Sequence, residues 1–322
     1  MNRCLITGCG GFIGSYLASL LLDNGYKVYG TVHQQAKKLE HLKDRITILQ
    51  CDILDAKRVD DVVMEVKPDY IFHLAARSLI TQSWQDPAGT FDTNITGTVN
   101  LLDSIRKAGI APLVQILCSS AEYGFNSQSE IPIKEDEPFK PCSPYGVSKV
   151  GQDMLSTLYW RTYGMKIIRV RPFYITGPGK TTDACSDFAR GIVRIEKGQS
   201  KTLSTGNLES TRDIVDVRDC TRALLVLMER GLPGEVYNIC TGRGYQMKEL
   251  LEKLLSLTSS KVRIRQTPEK MRPLEGNTLV GDNTKLRDLG WKPRIPVEQT
   301  LSGVLDYWRK NMAHQVEEKC RL

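Results

Sequence analysis

Tyr145 and Lys149, in the run Tyr145-Gly146-Val147-Ser148-Lys149, stand four positions apart. On a helix that spacing puts both side chains on one face. A phenol titrates near pH ~10 and is a poor proton carrier at neutral pH. A nearby ammonium stabilises the phenolate and lowers that value. Ser119 follows the apolar run Leu113–Cys118, and its hydroxyl can hold a substrate oxygen while the phenol moves a proton. A serine, a tyrosine and a lysine so placed form an acid–base set for interconverting a ketone and an alcohol. A Tyr-x-x-x-Lys pair by itself is an ordinary feature of an exposed helix. It gains weight from what lies upstream.

Upstream is Gly8-Cys9-Gly10-Gly11-Phe12-Ile13-Gly14, after a strand-like run and before a helical period. A strand-to-helix turn needs a glycine that tolerates unusual φ, and the missing Cβ lets backbone approach a pyrophosphate. The helix start, at Phe12 and Ile13, then offers free N–H groups and partial positive charge to that anion. This is the context in which a glycine triplet reads as a dinucleotide site. The end of the second strand should read the adenosine ribose, where a carboxylate would select NAD. Here Gly30-Thr31-Val32-His33-Gln34-Gln35 offers none, and Lys37-Lys38 follow. NADP(H) is therefore the preferred cofactor and NAD(H) the alternative; Lys37-Lys38 read equally well as an exposed helix start. His33 sits at this edge. Asp52-Ile53, after the third strand, can meet the adenine amino group. Leu74-Ala75-Ala76 close the fourth strand with small residues that allow close approach, and Lys149 can also bond the nicotinamide ribose. His73, inside an apolar run, reads as a hydrogen-bonded core histidine.

These residues need a scaffold. Cys4–Thr7, Val28–Val32, Ile46–Gln50, Tyr70–Leu74, Leu113–Cys118 and Ile167–Val170 read as strands buried on both faces, without strict alternation. Helical periods run over Ile13–Asn24, Lys57–Val66, Phe91–Lys107 and Tyr145–Tyr163. Strand and helix alternating in this way predict an α/β Rossmann fold, a doubly wound parallel sheet with a smaller α/β C-terminal substrate domain. The expected division is 1–171 for the dinucleotide-binding domain and 172–322 mainly for substrate, with segments near 213–240 returning to the first. Ligands in such sheets sit beyond the carboxyl ends of the strands.

The chain has 322 residues, 41% hydrophobic and 25% charged, with a net charge of +7. That is an ordinary globular composition. No apolar run reaches the ~18 residues of a membrane span. The first residues enter a strand at once, leaving no room for a signal peptide. Nine scattered cysteines, with no CxxC pair, suit reduced buried thiols in the cytoplasm and no metal site. No zinc-finger spacing or aromatic-interleaved basic stripe points to nucleic acid.

The glycine turn and the Ser119, Tyr145, Lys149 set resemble the extended short-chain dehydrogenase/reductase family, and within it the nucleotide-sugar enzymes. Gly206-Asn207-Leu208-Glu209 with Arg212-Asp213, then Met271-Arg272-Pro273-Leu274-Glu275, then Leu289-Gly290-Trp291-Lys292-Pro293, resemble the group of GDP-mannose 4,6-dehydratase and GDP-4-keto-6-deoxy-D-mannose reductase. The resemblance implies a nucleotide-diphosphate sugar as substrate, a GDP-sugar in particular. Arg212 and Arg272 would face the diphosphate, Glu275 the nucleoside ribose, and Arg77, Ser78, Tyr174 and Asn207 would complete the substrate side. It also implies a homodimer formed by pairing the helices Phe91–Lys107 and Tyr145–Tyr163, whose Val99, Leu102, Met154 and Leu158 could equally pack within one chain.

Two departures from the family pattern stand out. Its dehydratases carry a carboxylate two residues after the catalytic Ser/Thr, and here that position is Ala121. A methyl group moves no proton, and Glu122, one residue on in a strand-like segment, would point the other way. Tyr174 stands where relatives have asparagine. The expected reaction is NAD(P)H-dependent reduction of the C4 ketone of a nucleotide-linked 4-keto-6-deoxy sugar, with GDP-D-rhamnose as a product. The alternatives are a C4 epimerase holding NAD, then a 4,6-dehydratase, then a non-catalytic binding protein.

Overall fold

The computed structural model describes residues 1–34, 37–124, 131–268 and 278–320. Among them, seven parallel strands form the main sheet: β1 (Arg3–Thr7), β2 (Lys27–Val32), β3 (Thr47–Gln50), β4 (Tyr70–His73), β5 (Leu113–Leu117), β6 (Ile167–Pro172) and β10 (Val236–Ile239). Their spatial order is β10-β6-β5-β4-β1-β2-β3. The order reverses between β1 and β4, and such a reversal opens a crevice at the carboxyl ends. Thr7 pairs with His73 at that edge.

Helices α1 (Phe12–Asp23) and α8 (Val217–Arg230) cover one face; α2 (Ala56–Val66), α5 (Gly97–Lys107) and α6 (Pro144–Tyr163) cover the other. Each face has its own apolar cluster, one around Leu17, Leu21, Leu224 and Tyr237, the other around Leu5, Ile71, Leu102 and Ile105. Leu102 is thus wholly inside the monomer, whereas Met154 and Leu158 on α6 are 62% and 54% exposed. The expected helix Phe91–Lys107 instead starts earlier and is interrupted. Short helices α3 (Ile80–Gln85) and α4 (Pro87–Phe91) lead into a π turn at Asp92–Thr96 and then α5.

A second layer holds β7 (Tyr174–Thr176), β9 (Thr211–Asp216), β11 (Gly244–Gln246) and β13 (Thr278–Leu279), with β9 at its centre. A parallel pair, β8 (Thr202–Thr205) and β12 (Arg263–Gln266), lies beside it. Helices α7 (Ala184–Glu196), α9 (Met247–Leu255) and α11 (Val297–Cys320) close a separate core around Phe188, Leu250 and Leu301; α10 (Thr284–Asp288) precedes α11. Of the 213–240 segments, β10 joins the main sheet and α8 packs on it, while β9 belongs to the second layer.

Cys4, Cys9, Cys51, Cys118, Cys185, Cys220 and Cys240 are buried free thiols, and Cys142 is a half-buried one. Trp291, from the C-terminal motif, is 2% exposed and its Nε1 donates to the Asp219 carbonyl at 3.1 Å, so that motif locks the main core.

Candidate active site

Sequence alone makes the segment after β5 strand-like; the structure makes Ser120–Glu122 a single 3-10 turn. The cause is a capping box. Ser119 Oγ accepts from Ala121 N at 3.1 Å, and Glu122 Oε1 accepts from Ser119 N at 2.8 Å. Helix α6 starts opposite, with Ser143 Oγ accepting from Gly146 N at 3.0 Å and Pro144 in the first turn. Such a cap contributes about 1 kcal/mol. A Cβ on Gly146 would lie 2.7 Å from the Ala121 carbonyl, so only glycine lets the helix start press on the Ser119 turn. The phenol of Tyr145 is thereby brought beside the Ser119 hydroxyl, which favours its ionised form.

Lys149, 3% exposed, lies one helical turn further in. Its Nζ donates to the Leu117 carbonyl at 2.7 Å and to Gln152 Oε1 at 2.6 Å. It stands 5.9 Å from the centroid of the Tyr145 ring. Burial pushes the phenol up to about 12, and the nearby Ser119 hydroxyl draws it back. The Lys149 ammonium, expected to lower the phenol, hydrogen-bonds Leu117 and Gln152. Lys149 itself is pulled down to about 8 by burial, against the opposing influence of Cys118 and Glu122. Near neutral pH the pair is a protonated phenol beside a mostly protonated ammonium, which suits delivery of a proton to a ketone oxygen.

The glycine turn makes a cradle. Gly8 has φ +68°, and a Cβ there would meet Ala75 N and Cα at 2.8 Å. Gly11 precedes α1 with no side-chain cap on the Phe12 and Ile13 end of the helix, and Gly14 lies against Cys9. Leu74 and Ala75 are tied to Thr7, whose hydroxyl accepts from both backbone N–H groups at 3.2 Å, with Ala76 next along the rim. An uncapped helix start beside a glycine-bared loop fits a dinucleotide pyrophosphate. At the adenosine end, exposed His33 faces Asp52 at 3.4 Å. Asp52 also accepts from Leu54 N at 3.0 Å. The Ile53 side chain is buried in the core against Gly97, which leaves only its backbone for a ligand. Lys38 reaches across to donate to the Gly179 carbonyl at 3.0 Å, its ammonium 5.5 Å from the Phe12 ring centroid; that of Lys180 is 5.2 Å from the same ring.

The expected substrate side is looser. Arg77 and Ser78 are exposed at the rim after β4, and the Arg77 guanidinium pairs with Asp86. The Tyr174 hydroxyl accepts from Ala184 N at 2.9 Å, and its ring packs on the second core. Asn207 Oδ1 accepts from Glu209 N at 2.9 Å, and Arg212 on β9 donates to the Thr211 carbonyl at 2.8 Å. Its neighbour Asp213 is fully buried, accepting from Thr241 N and Gly242 N, and is structural. Arg272 and Glu275 lie outside the described residues.

His73 is the hydrogen-bonded core histidine expected from the sequence, and several polar residues missed by the sequence reading join it in supporting the site. His73 bridges Thr7 at 2.8 Å and Thr98 at 3.0 Å, and burial pulls it down to about 3, so it is neutral. Gln152 Nε2 donates to Thr98 Oγ1 at 2.8 Å, which links Lys149 to that chain. Asn94, in the π turn, holds the Arg77 backbone and donates to Ser148 Oγ at 2.9 Å. Such turns recur at functional sites. Their only signal in the sequence is polar residues on helix faces that otherwise read as apolar. Cys118, Glu122 and Asp153 gather with ligand atoms within 4.8 Å, but the cation they share is Arg171.

Comparison with known proteins adds to this geometry. A family model described as GDP-mannose 4,6 dehydratase matches residues 5–304. The GDP-6-deoxy-D-mannose reductase of Pseudomonas aeruginosa is 30% identical over 98% of this chain and 99% of its own. The solved structure of Pseudomonas aeruginosa RMD complexed with NADPH has a TM-score of 0.84 at 30% identity, over 97% of this chain and 100% of that one. The UDP-glucose 4-epimerase of Thermotoga maritima, solved with UDP-glucose, reaches a TM-score of 0.87 at 31% identity, over 96% and 99%.

Proposed function

The chain belongs to the GDP-mannose 4,6-dehydratase family, among the NAD(P)-dependent extended short-chain dehydrogenase/reductase enzymes of nucleotide sugars, and on that premise we propose that it reduces the C4 ketone of a nucleotide-linked 4-keto-6-deoxy sugar. GDP-4-keto-6-deoxy-D-mannose is the substrate we favour, with GDP-D-rhamnose as product. A bound nicotinamide supplies the hydride. Tyr145 gives its proton to the ketone oxygen, and Ser119 orients that oxygen by a hydrogen bond. Lys149, anchored on Leu117 and Gln152, fixes the inner wall of the site and keeps a positive charge there.

The observation that carries this reading is the Ser119–Glu122 turn. Loss of water from the sugar needs a carboxylate facing the substrate carbon next to the ketone, and Ala121 holds that position. The nearest acid, Glu122, is folded back under Ser119 and is 0% exposed. Simple reduction needs no such group. NADPH is favoured over NADH because the described end of β2 carries no carboxylate of its own while Lys38 lies close to Phe12. Arg212 offers a guanidinium to a diphosphate. The exposed Val147, Met154 and Leu158 on α6 support a homodimer formed along that helix.

The likeness to UDP-glucose 4-epimerase favours one other reading, a C4 epimerase with retained NAD. One preparation separates the two. Supplied with the keto sugar, made in place from GDP-mannose by a 4,6-dehydratase, a reductase consumes NADPH mole for mole. An epimerase leaves added NADPH untouched and releases NAD on denaturation. Light scattering on the same sample should give twice the 36.2 kDa of one chain.

A further inference from the structure

Glu122 is fully buried one turn behind the reacting hydroxyls. Taking a carboxylate out of water costs several kcal/mol unless partners compensate. Its partners are unevenly divided. Oε1 accepts from Ser119 N at 2.8 Å. Oε2 lies 3.1 Å from Arg171 Nε, which is also 3.0 Å from Asp153 Oδ2. That N–H is donated to Asp153, which leaves Glu122 Oε2 buried with an ion contact and no hydrogen bond. Arg169 covers the other oxygen of Asp153 at 3.0 Å, and the Arg171 Nη1 donates to Tyr123 and to the Glu135 carbonyl. Only Glu122, of these acids, is bonded to the residue that touches the substrate oxygen.

We propose that Glu122 is the positioning residue of the proton-delivery pair: its carboxyl fixes the Ser119 turn, and its charge, facing Tyr145 from behind that turn, sets where on the pH scale the site works. The inference rests on Tyr145 being the proton donor. The charged or titratable groups around Glu122 are Cys118 just after β5, Tyr145, Lys149 and Asp153 from α6, and Arg171 from β6, with Tyr123 beside it. Burial and Asp153 both favour the neutral acid, and Arg171 opposes them. As pH rises Glu122 ionises, and the new charge makes the phenol and Lys149 harder to deprotonate. The alkaline end of the activity range is thereby extended.

Two substitutions divide the roles. Glu122→Gln keeps an oxygen for Ser119 N and removes the charge. The alkaline limb of kcat should move down by about half a pH unit or more, with kcat at the optimum reduced by less than tenfold. Glu122→Asp keeps the charge but is too short to reach Ser119 N. Its limb should stay near that of the wild type while kcat falls roughly tenfold, KM changing little. A Glu122→Gln profile that overlays the wild type overturns the charge role, and wild-type kcat in Glu122→Asp overturns the positioning role. If Glu122→Gln does not fold, Glu122→Asp still decides the second. Tyr145→Phe run alongside tells the two readings apart: turnover surviving there sinks the assignment of Tyr145, whereas its loss with an unmoved Glu122→Gln limb sinks this inference alone.

Discussion

The inner rim of the site and its outer, substrate-facing side differ in burial and follow different plans. At the inner rim, buried polar groups are held in part by residues far away in sequence: Lys149 by Leu117, Gln152 by Thr98, His73 by Thr7, Asn94 by Arg77. On the outer side Asn207 is tied to Glu209, Arg212 to Thr211 and Arg77 to Asp86, and Asn207 and Arg212 have further partners besides these. The first plan fixes the reacting groups through the core, so their geometry is inherited with the fold. The second sets the recognising groups at half-buried or exposed positions, where a single replacement can retune a ligand without disturbing the sheet. One scaffold can then serve several sugars with one proton-transfer apparatus.

Three measurements would break or sharpen that contrast. The largest effect belongs to the inner rim: Tyr145→Phe should lower kcat by about a thousandfold or more while NADPH binding, followed by fluorescence titration, stays near the wild type. A fall of tenfold or less would mean that the proton comes from elsewhere. Next is stability. His73 is held neutral, with a folded value of about 3 against 6.5 unfolded. Its contribution is fully present above pH 6.5 and is lost as pH falls toward 3. Between pH 7 and pH 5 this group alone should remove about 2 kcal/mol. Buried acids with raised values, such as Asp183 and Asp213, act in the opposite sense, so the test is a difference. In urea melts at the two pH values, wild type should lose about 2 kcal/mol more than His73→Gln; equal losses would show that the inner rim tolerates a charge. The smallest effect belongs to the outer side. Arg212→Ala should raise KM for the nucleotide sugar about tenfold with kcat within about twofold, since it removes binding rather than transition-state contacts. A large drop in kcat would erase the distinction between the two plans.

The main sheet was legible because its strands are apolar on both faces and alternate with helical periods; each expected strand lies within a residue or two of its place. The glycine turn was legible because it demands a rare local geometry, and the Tyr-x-x-x-Lys pair because that turn lies upstream and Ser119 stands at a strand end. Ser119-Ser120-Ala121-Glu122 carries the Ser-x-x-Glu spacing of a capping box, a local signal that the strand-like reading passed over and that turns this run into a helical turn. The rest of what stayed hidden was long-range. Nothing near Lys149 reveals that its ammonium will be spent on Leu117 and Gln152. The mixed second layer was only partly readable for a related reason: β9 gathers β7, β11 and β13 from scattered short segments, and two- or three-residue strands leave no periodicity to detect.

The distribution of sulfur has a practical corollary. Among the described thiols, only Cys142 reaches the surface in part, and it sits one residue ahead of the serine that caps α6. In a Cys320→Ser variant a maleimide dye would attach there before the buried thiols, three positions from the phenol, and report optically on ligand arrival.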